Sequence, residues 1–388
     1  EVVVFNFEGN SQLWQVFERD LHPERIITEL TALSGRAIRP GETLLFFDEI
    51  QASPRAITAL KYFCEEAPQY HIIAAGSLLG AAIHRDDFSF PVGKVDEMRM
   101  YPMDFEEFLW AAGNEPLSQL IRQSYVSDTP LSAPLHDKAL ALYRTYLIVG
   151  GMPESVAEYI STQDFVRVRA HQHRILSDYG SDMSKYATHN EAVRHEATFN
   201  SIPSQLAKEN HKFQYRVIGS HARSRDYEDS VLRLCKTQVA LKCEKVREGK
   251  SPLEFYKDSL SFKVYLSDVG LLSARMMLSP EILMSESHIG AEAKGSLAEN
   301  YVAQQLMPRA RQLYYWESDG KAEVDFVMQG PLGAIPIECK AGDNVRSRSL
   351  AEFVKRYAPT YSIRVSTRHF GFENQIKSVP LYAVHCII

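Results

Sequence analysis

The stretch Leu44-Leu45-Phe46-Phe47-Asp48-Glu49 decides the first part of the fold. Its apolar run predicts a strand buried on both faces, as in parallel sheets covered by helices. The two acids that follow would lie at the carboxyl edge of the sheet, where open α/β sheets bind ligands. Similar runs span 2–7 and 71–75, and Ser53-Pro54 predicts a helix start between the second and third runs. The spacing predicts a β-α-β crossover within an α/β fold.

Two adjacent acids at that edge suit nucleoside triphosphate hydrolysis. An aspartate there holds the Mg²⁺ shell, and the glutamate beside it orients the attacking water. Ser77, after the third run, would reach the terminal phosphate, or it caps a helix instead. Asp48 and Glu49 are also compatible with a plain polar strand end. The 388 residues contain no G-x-x-x-x-G-K-[ST] phosphate loop, which follows the first strand in such folds, so we expect that loop upstream of Glu1.

A helical segment and a basic segment follow. Residues 137–194 show helical periodicity and predict a small helical lid. In 195–285 the order helix, strand, charged turn, strand is typical of a winged helix, and 207–250 carries eleven Lys or Arg against six Asp or Glu. This charge suits contact with a DNA backbone, although a solvated face or an internal docking module fits it equally. The candidate nucleic-acid contacts are Arg216, Arg223, Arg225, Lys242 and Lys245.

A second group of acids lies near the end of the chain. Asp325 is followed thirteen residues later by Glu338-Cys339-Lys340, the D-(x)n-E-x-K pattern of restriction-endonuclease-like folds. Alternate residues of a strand share a face, so Glu338 and Lys340 would project together, with the acids holding a divalent metal and the lysine activating water. Glu299 would complete the group from a helix, and Glu323 is an alternative metal ligand. These residues are also compatible with salt bridges at strand ends.

The longer pattern resembles a known family. Leu44 to Gln51, Gly76-Ser77, and Val92 through the run Tyr101-Pro102-Met103-Asp104-Phe105-Glu106-Glu107-Phe108 resemble bacterial and archaeal AAA-type P-loop ATPases that end in a nuclease-like domain. The resemblance implies ATP and Mg²⁺ as cofactors, with Asp48 and Glu49 in the roles given above. Relatives usually carry an arginine at the position of Lys94, so an arginine finger from a neighbouring subunit would have to come from elsewhere, with Arg85 as the other candidate.

Composition limits the remaining options. The net charge of −6 means that nucleic-acid binding requires a local basic patch, and no apolar stretch is long enough for a membrane span. Five cysteines without C-x-x-C spacing favour a reducing cytoplasm over a zinc site or disulfides. We therefore predict an ATPase core over 1–136, the helical lid over 137–194, the winged helix over 195–285 and a restriction-endonuclease-like domain over 286–388. The alternatives are a metal-dependent nuclease on a degenerate ATPase scaffold, and a nucleotide-controlled binding switch without nuclease activity. Self-association is a further expectation.

Overall fold

A computed structural model describes residues 1–76, 91–185, 187–208, 211–285, 290–318, 322–342 and 348–387. These residues form two compact units, Glu1–Met100 and Tyr101–Ile388. None of the described helices is both long and apolar enough to cross a membrane.

The described part of the first unit is a parallel sheet with helices on one face. Its strands β1 (Val2–Asn6), β2 (Leu44–Asp48) and β3 (His71–Ala74) lie in the order β1-β2-β3. Its helices are α1 (Gln12–Glu18), α2 (Pro23–Ser34) and α3 (Pro54–Glu66), and Ser53 caps α3 by accepting a hydrogen bond from the backbone N–H of Ala56. The predicted strands and crossover helix are thus confirmed.

The expected burial of both sheet faces is wrong for the described residues. Val3 and Phe5 are buried with the side chains of α1, α2 and α3, whereas Val2 and Val4 are 48% and 59% exposed. Ile73, on the same face as Val4, is 49% exposed. Apolar residues on both sides of a strand do not specify that helices cover both sides, because β-branched residues also favour exposed strands.

The second unit begins with helices. These are α4 (Phe105–Ala111), α5 (Glu115–Ser127), α6 (Ala133–Val149), α7 (Pro153–Thr162), α8 (Phe165–Lys185), α9 (His189–Leu206), α10 (Tyr215–Ile218) and α11 (Ser224–Lys236). Further along the chain lie α12 (Val269–Arg275), α13 (Pro280–Ser285), α14 (Ala291–Ala310) and α15 (Arg348–Tyr357).

The same unit contains a mixed sheet of eight described strands. They are β4 (Ala240–Val246), β5 (Lys257–Leu266), β6 (Leu313–Ser318), β7 (Ala322–Gly330), β8 (Gly333–Cys339), β9 (Ser362–Ser366), β10 (Gly371–Glu373) and β11 (Ile376–Pro380). The spatial order is β10-β11-β9-β8-β7-β6-β4-β5.

This sheet corrects the predicted winged-helix domain. The helix and the two strands form where expected, as α11, β4 and β5, but the strand pair is not a free wing. β4 pairs in parallel with β6, with Cys243 opposite Leu313 and Val246 opposite Trp316. The two predicted wing strands therefore extend the C-terminal sheet. Because the backbone groups on the second edge of β4 are hydrogen-bonded to β6, the predicted boundary at 285 does not separate two folding units.

The helices of 137–194 belong to the same core, which corrects their interpretation as a separate lid. The helices are interrupted at Gly150-Gly151, and this turn packs against Asp268. The Oδ2 of Asp268 accepts a hydrogen bond from the N–H of Gly151 at 2.6 Å. A Cβ added to Gly270 would lie 2.6 Å from the backbone N of Gly150. Only glycine fits such a close approach of two backbones.

The run Tyr101–Phe108 packs with the second unit. Asp104 caps α4 in a reciprocal capping box with Glu107, and its carboxylate lies 2.9 Å from Arg309 of α14. Phe105 and Phe108 are fully buried and pack edge-on against Tyr146. The run thus fixes α4 to the helices of the second unit.

Candidate functional site

The first candidate site lies at the carboxyl edge of the parallel sheet. β1 and β2 run in register, so Asn6 is beside Asp48, and its Nδ2 donates a hydrogen bond to Asp48 Oδ2 at 2.9 Å. Asn6 Oδ1 in turn accepts the N–H groups of Glu8 and Gly9, which fixes the turn after β1. Asn6 was not predicted as a site residue, and the signal for it was that it is the one polar residue within the apolar run 2–7.

Glu49 follows in an unusual backbone conformation. Its φ is +50°, in the left-handed region that non-glycine residues rarely occupy. The side chain of Gln51 donates a hydrogen bond to its carboxylate. This conformation turns the chain sharply between β2 and the short 3-10 helix Ile50–Ala52. The backbone therefore has a different orientation at each of the two adjacent acids that end the strand. Such strain is frequent at functional sites.

The other predicted residues of this region are only partly accounted for. Ser77 and Arg85 lie outside the described residues. Lys94, the position of the expected basic residue, forms an ion pair with Glu65 at 3.0 Å within the first unit.

The second candidate site is built around a buried lysine that was not predicted. The side chain of Lys263 on β5 is fully buried, and its Nζ lies 2.8 Å from Glu299 Oε1 and 2.6 Å from Glu323 Oε1. Burial favours the neutral amine, but Glu299 and Glu323 hold the pKa of Lys263 well above its usual value. A lysine within the apolar run Phe262 to Leu266 was the sequence signal for this role.

Glu299 on α14 is almost completely enclosed by partners. His211 Nδ1 is 2.5 Å from its Oε2, and the Tyr265 hydroxyl donates to Oε1. Burial alone would raise the pKa of Glu299, but Lys263 and His211 hold it far below the usual range. One carboxylate oxygen of Glu299 and one of Glu323 are therefore in contact with Lys263, and a metal at this site would compete with the lysine for these oxygens.

Asp325, Glu338 and Lys340 form the other half of this site. β7 and β8 are antiparallel with Phe326 opposite Ile337, so the next pair along the strands is Asp325 and Glu338. The backbone N–H of Cys339 donates to Asp325 Oδ2 at 2.7 Å, and Lys340 Nζ lies 2.6 Å from Glu338 Oε1. Burial and the neighbouring Glu338 raise the pKa of Asp325 well above its usual value. This half of the site contains two carboxyl groups but one lysine, so its positive charge is too small to balance both acids.

The geometry narrows the predicted metal site, in which Asp325 and Glu338 were the ligands, Glu299 completed the group and Glu323 was an alternative ligand. Among the described residues, no group of three or more His, Cys, Asp or Glu side chains is arranged to hold a metal ion. Lys263 engages one oxygen of Glu299 and one oxygen of Glu323, so these two acids are less available as metal ligands. Asp325 and Glu338 remain, and Glu338 Oε2 is buried without a hydrogen-bond partner. Two carboxylates with one unpartnered oxygen fit a single hydrated divalent cation, since Mg²⁺ is commonly bound by one or two carboxylates plus waters.

The predicted basic patch is divided by the fold. Arg216, Arg223 and Arg225 are exposed on α10, α11 and the segment between them. Lys242 Nζ, by contrast, is 2.9 Å from Glu244, and Lys245 Nζ is 2.8 Å from Glu317. The two lysines are thus paired within the protein, and the arginines are the predicted contacts that remain exposed.

Comparison with known families gives a described domain for the N-terminal part of the chain and domains of unknown function for the rest. Residues 1–109 match a family described as an AAA domain. They form an AAA-type ATPase domain. Residues 140–281 and 294–384 match two domains of unknown function, DUF8612 and DUF4143. No protein of curated function matches the sequence. The Walker-type ATPase PABY2304 of Pyrococcus abyssi is a similar solved structure, with 16% identity and a TM-score of 0.37 over 65% of this chain and 67% of that one.

Proposed function

We propose that the protein is a Mg²⁺-dependent ATPase that uses Asp48 and Glu49. The observation that carries the proposal is the pair of adjacent carboxylates at the carboxyl edge of the parallel sheet, within the stretch that matches an AAA domain. Bound Mg²⁺ supplies charge stabilisation for the phosphates. Asp48 is suited to hold this ion through its hydration shell, because Asn6 engages only one of its oxygens.

Glu49 is the base of this proposal. A glutamate next to the metal-binding aspartate can accept a proton from water and orient that water for attack. The left-handed backbone at Glu49 supports the role, because strained backbone of this kind is concentrated at functional sites. Gln51 holds the carboxylate in place through a hydrogen bond.

The test compares three variants of the full-length protein. Glu49→Gln should retain Mg²⁺-dependent binding of a fluorescent ATP analogue but lose about 100-fold or more in ATP turnover, as expected for removal of a general base. Asp48→Asn should weaken the Mg²⁺-dependent binding itself. Glu42→Gln is the matched control, because Glu42 is exposed and its carboxylate pairs with nearby Arg39. ATP turnover by Glu49→Gln at the rate of the control would contradict the proposal.

A second candidate function is metal-dependent cleavage of a phosphodiester at Asp325, Glu338 and Lys340. The buried, unpartnered oxygen of Glu338 next to Asp325 favours it. These two carboxylates would hold a divalent ion, and Lys340 would position water or neutralise the phosphate. The exposed arginines 216, 223 and 225 are suited to backbone contacts with DNA or another nucleic acid.

Cleavage is tested with Mn²⁺ or Mg²⁺ on supercoiled and single-stranded DNA. Wild-type protein should cut, and Asp325→Asn should not. If neither cuts, the domain is better explained as a binding module whose affinity follows the nucleotide state of the ATPase. A Lys340→Ala variant that retains the cellular role would favour that binding switch over the nuclease.

Location and assembly belong to the same proposal. The five cysteines have no disulfide partners, which supports a cytoplasmic location. A homo-oligomer would allow one subunit to supply a basic residue to the ATP site of the next. Sedimentation of the Glu49→Gln protein with and without ATP tests this, since an oligomer of this kind should be favoured by ATP.

A further inference from the structure

Two buried polar atoms lie on neighbouring strands of the second unit without a partner among the described residues. They are Glu338 Oε2 on β8 and Arg364 Nε on β9. Glu338 is only 3% exposed. The two residues are register partners in the parallel pair of β8 and β9, so their side chains leave the sheet on the same face. Buried polar groups in folded proteins are normally hydrogen-bonded, so these atoms indicate a ligand that serves both.

The chemistry of the two atoms restricts this ligand. Arg364 requires a hydrogen-bond acceptor, and Glu338 requires a cation or a donor. A phosphate bound to a divalent cation offers both at once. An arginine is well suited to the phosphate, because its planar guanidinium can donate two parallel hydrogen bonds to two oxygens.

The charges around Glu338 lead to the same ligand. Lys340 already pairs with Glu338 at 2.6 Å, so the group of Asp325, Glu338 and Lys340 holds two carboxyl groups against one ammonium group. A phosphate would be repelled by that set. One divalent cation reverses the sign, and Arg364, which has no ion pair with any described carboxylate, adds a further positive charge beside it.

We propose that Arg364 binds a non-bridging phosphate oxygen of a nucleic-acid backbone beside Asp325 and Glu338. The inference rests on the second candidate function, which it deepens by naming the residue that holds the substrate phosphate. Arg364 is the substrate-binding residue of this site, on the strand next to the one that carries Glu338.

The experiment measures DNA binding by the full chain. Fluorescein-labelled duplex and single-stranded DNA are titrated in Ca²⁺, so that binding is observed without cleavage. Arg364→Gln should weaken binding about 10-fold to 100-fold, as for loss of hydrogen bonds to a charged group. The dependence of log affinity on log salt should become shallower by about one unit. Arg364→Lys should recover the salt dependence but only part of the affinity, because lysine lacks the planar fork.

Arg311→Gln is the control, since Arg311 is an exposed arginine that follows α14. The proposal is overturned if wild-type protein does not bind DNA, if Arg364→Gln binds like the control, or if Arg364→Lys has the same salt slope as Arg364→Gln. If Arg364→Gln does not fold, as judged by its melting temperature, the Lys variant decides through its affinity. Binding that depends on Arg364 without any cleavage in Mn²⁺ would leave this inference standing and remove the nuclease function.

Discussion

Lys263→Met tests whether the buried lysine holds the C-terminal sheet together. Methionine keeps the length and most of the volume of the side chain but removes its charge. Lys263 is fully buried and lies within 2.8 Å of Glu299 and 2.6 Å of Glu323, so the variant leaves both carboxylates without their shared cation. Removing one partner of a buried ion pair costs about 3–5 kcal/mol, because the remaining charge is desolvated and uncompensated.

Urea unfolding monitored by tryptophan fluorescence measures this cost. Trp316 on β6 is fully buried in the sheet that contains Lys263, so its emission reports on the right unit. We expect a clearly lower urea midpoint for Lys263→Met. The control is Lys250→Met, because Lys250 is largely exposed and pairs with nearby Glu248. A change in midpoint no larger than that of the control would refute the reasoning.

The pH dependence gives a second test of the same variant. Lys263 and His211 hold the pKa of Glu299 down, so the stabilisation is present above the ordinary glutamate pKa of about 4.3 and is lost as the pH falls through the lower folded value. The pKa of Lys263 is raised, so the stabilisation that its charged form contributes is present below about pH 10 and is lost at higher pH. The difference between wild type and Lys263→Met should therefore narrow below about pH 4. A difference that stays constant on acidification would contradict this explanation.

Three further predictions follow from the same structure. Asp325→Asn should raise the melting temperature in metal-free buffer at pH 8, and should raise it by less at pH 4. Burial and Glu338 raise the pKa of Asp325, so ionisation of Asp325 destabilises the folded protein as the pH rises. An equal change in melting temperature at both pH values would contradict this. Gly270→Ala should destabilise the protein by about 1–3 kcal/mol in urea unfolding, since its Cβ would meet the backbone of Gly150, whereas Gly295→Ala, whose Cβ meets nothing, should not. A thiol reagent at pH 8 should label Cys64 first in the folded protein, because the other cysteines are buried or half-buried; mass spectrometry of peptides would show rapid labelling elsewhere if this is wrong.

Local patterns in the sequence were sufficient for the elements of the first unit. The apolar run before Asp48 and the Ser53-Pro54 pair predicted β2 and the start of α3, because strand formation and helix capping depend on neighbouring residues. The same locality explains the correct placement of α11, β4 and β5. The spacing of Asp325, Glu338 and Lys340 likewise predicted that they meet, since a strand and its antiparallel neighbour fix that distance.

Only the tertiary structure decided how these elements combine. The pattern of β4 does not tell which strand occupies its second edge, and pairing with β6 turned a predicted winged helix into part of a larger sheet. Lys263 lies 36 residues from Glu299 along the chain, yet their contact determines which acids remain for a metal. Contacts of this kind depend on which side chains the packed sheet buries together, because the charge that a buried carboxylate requires is supplied by spatial neighbours.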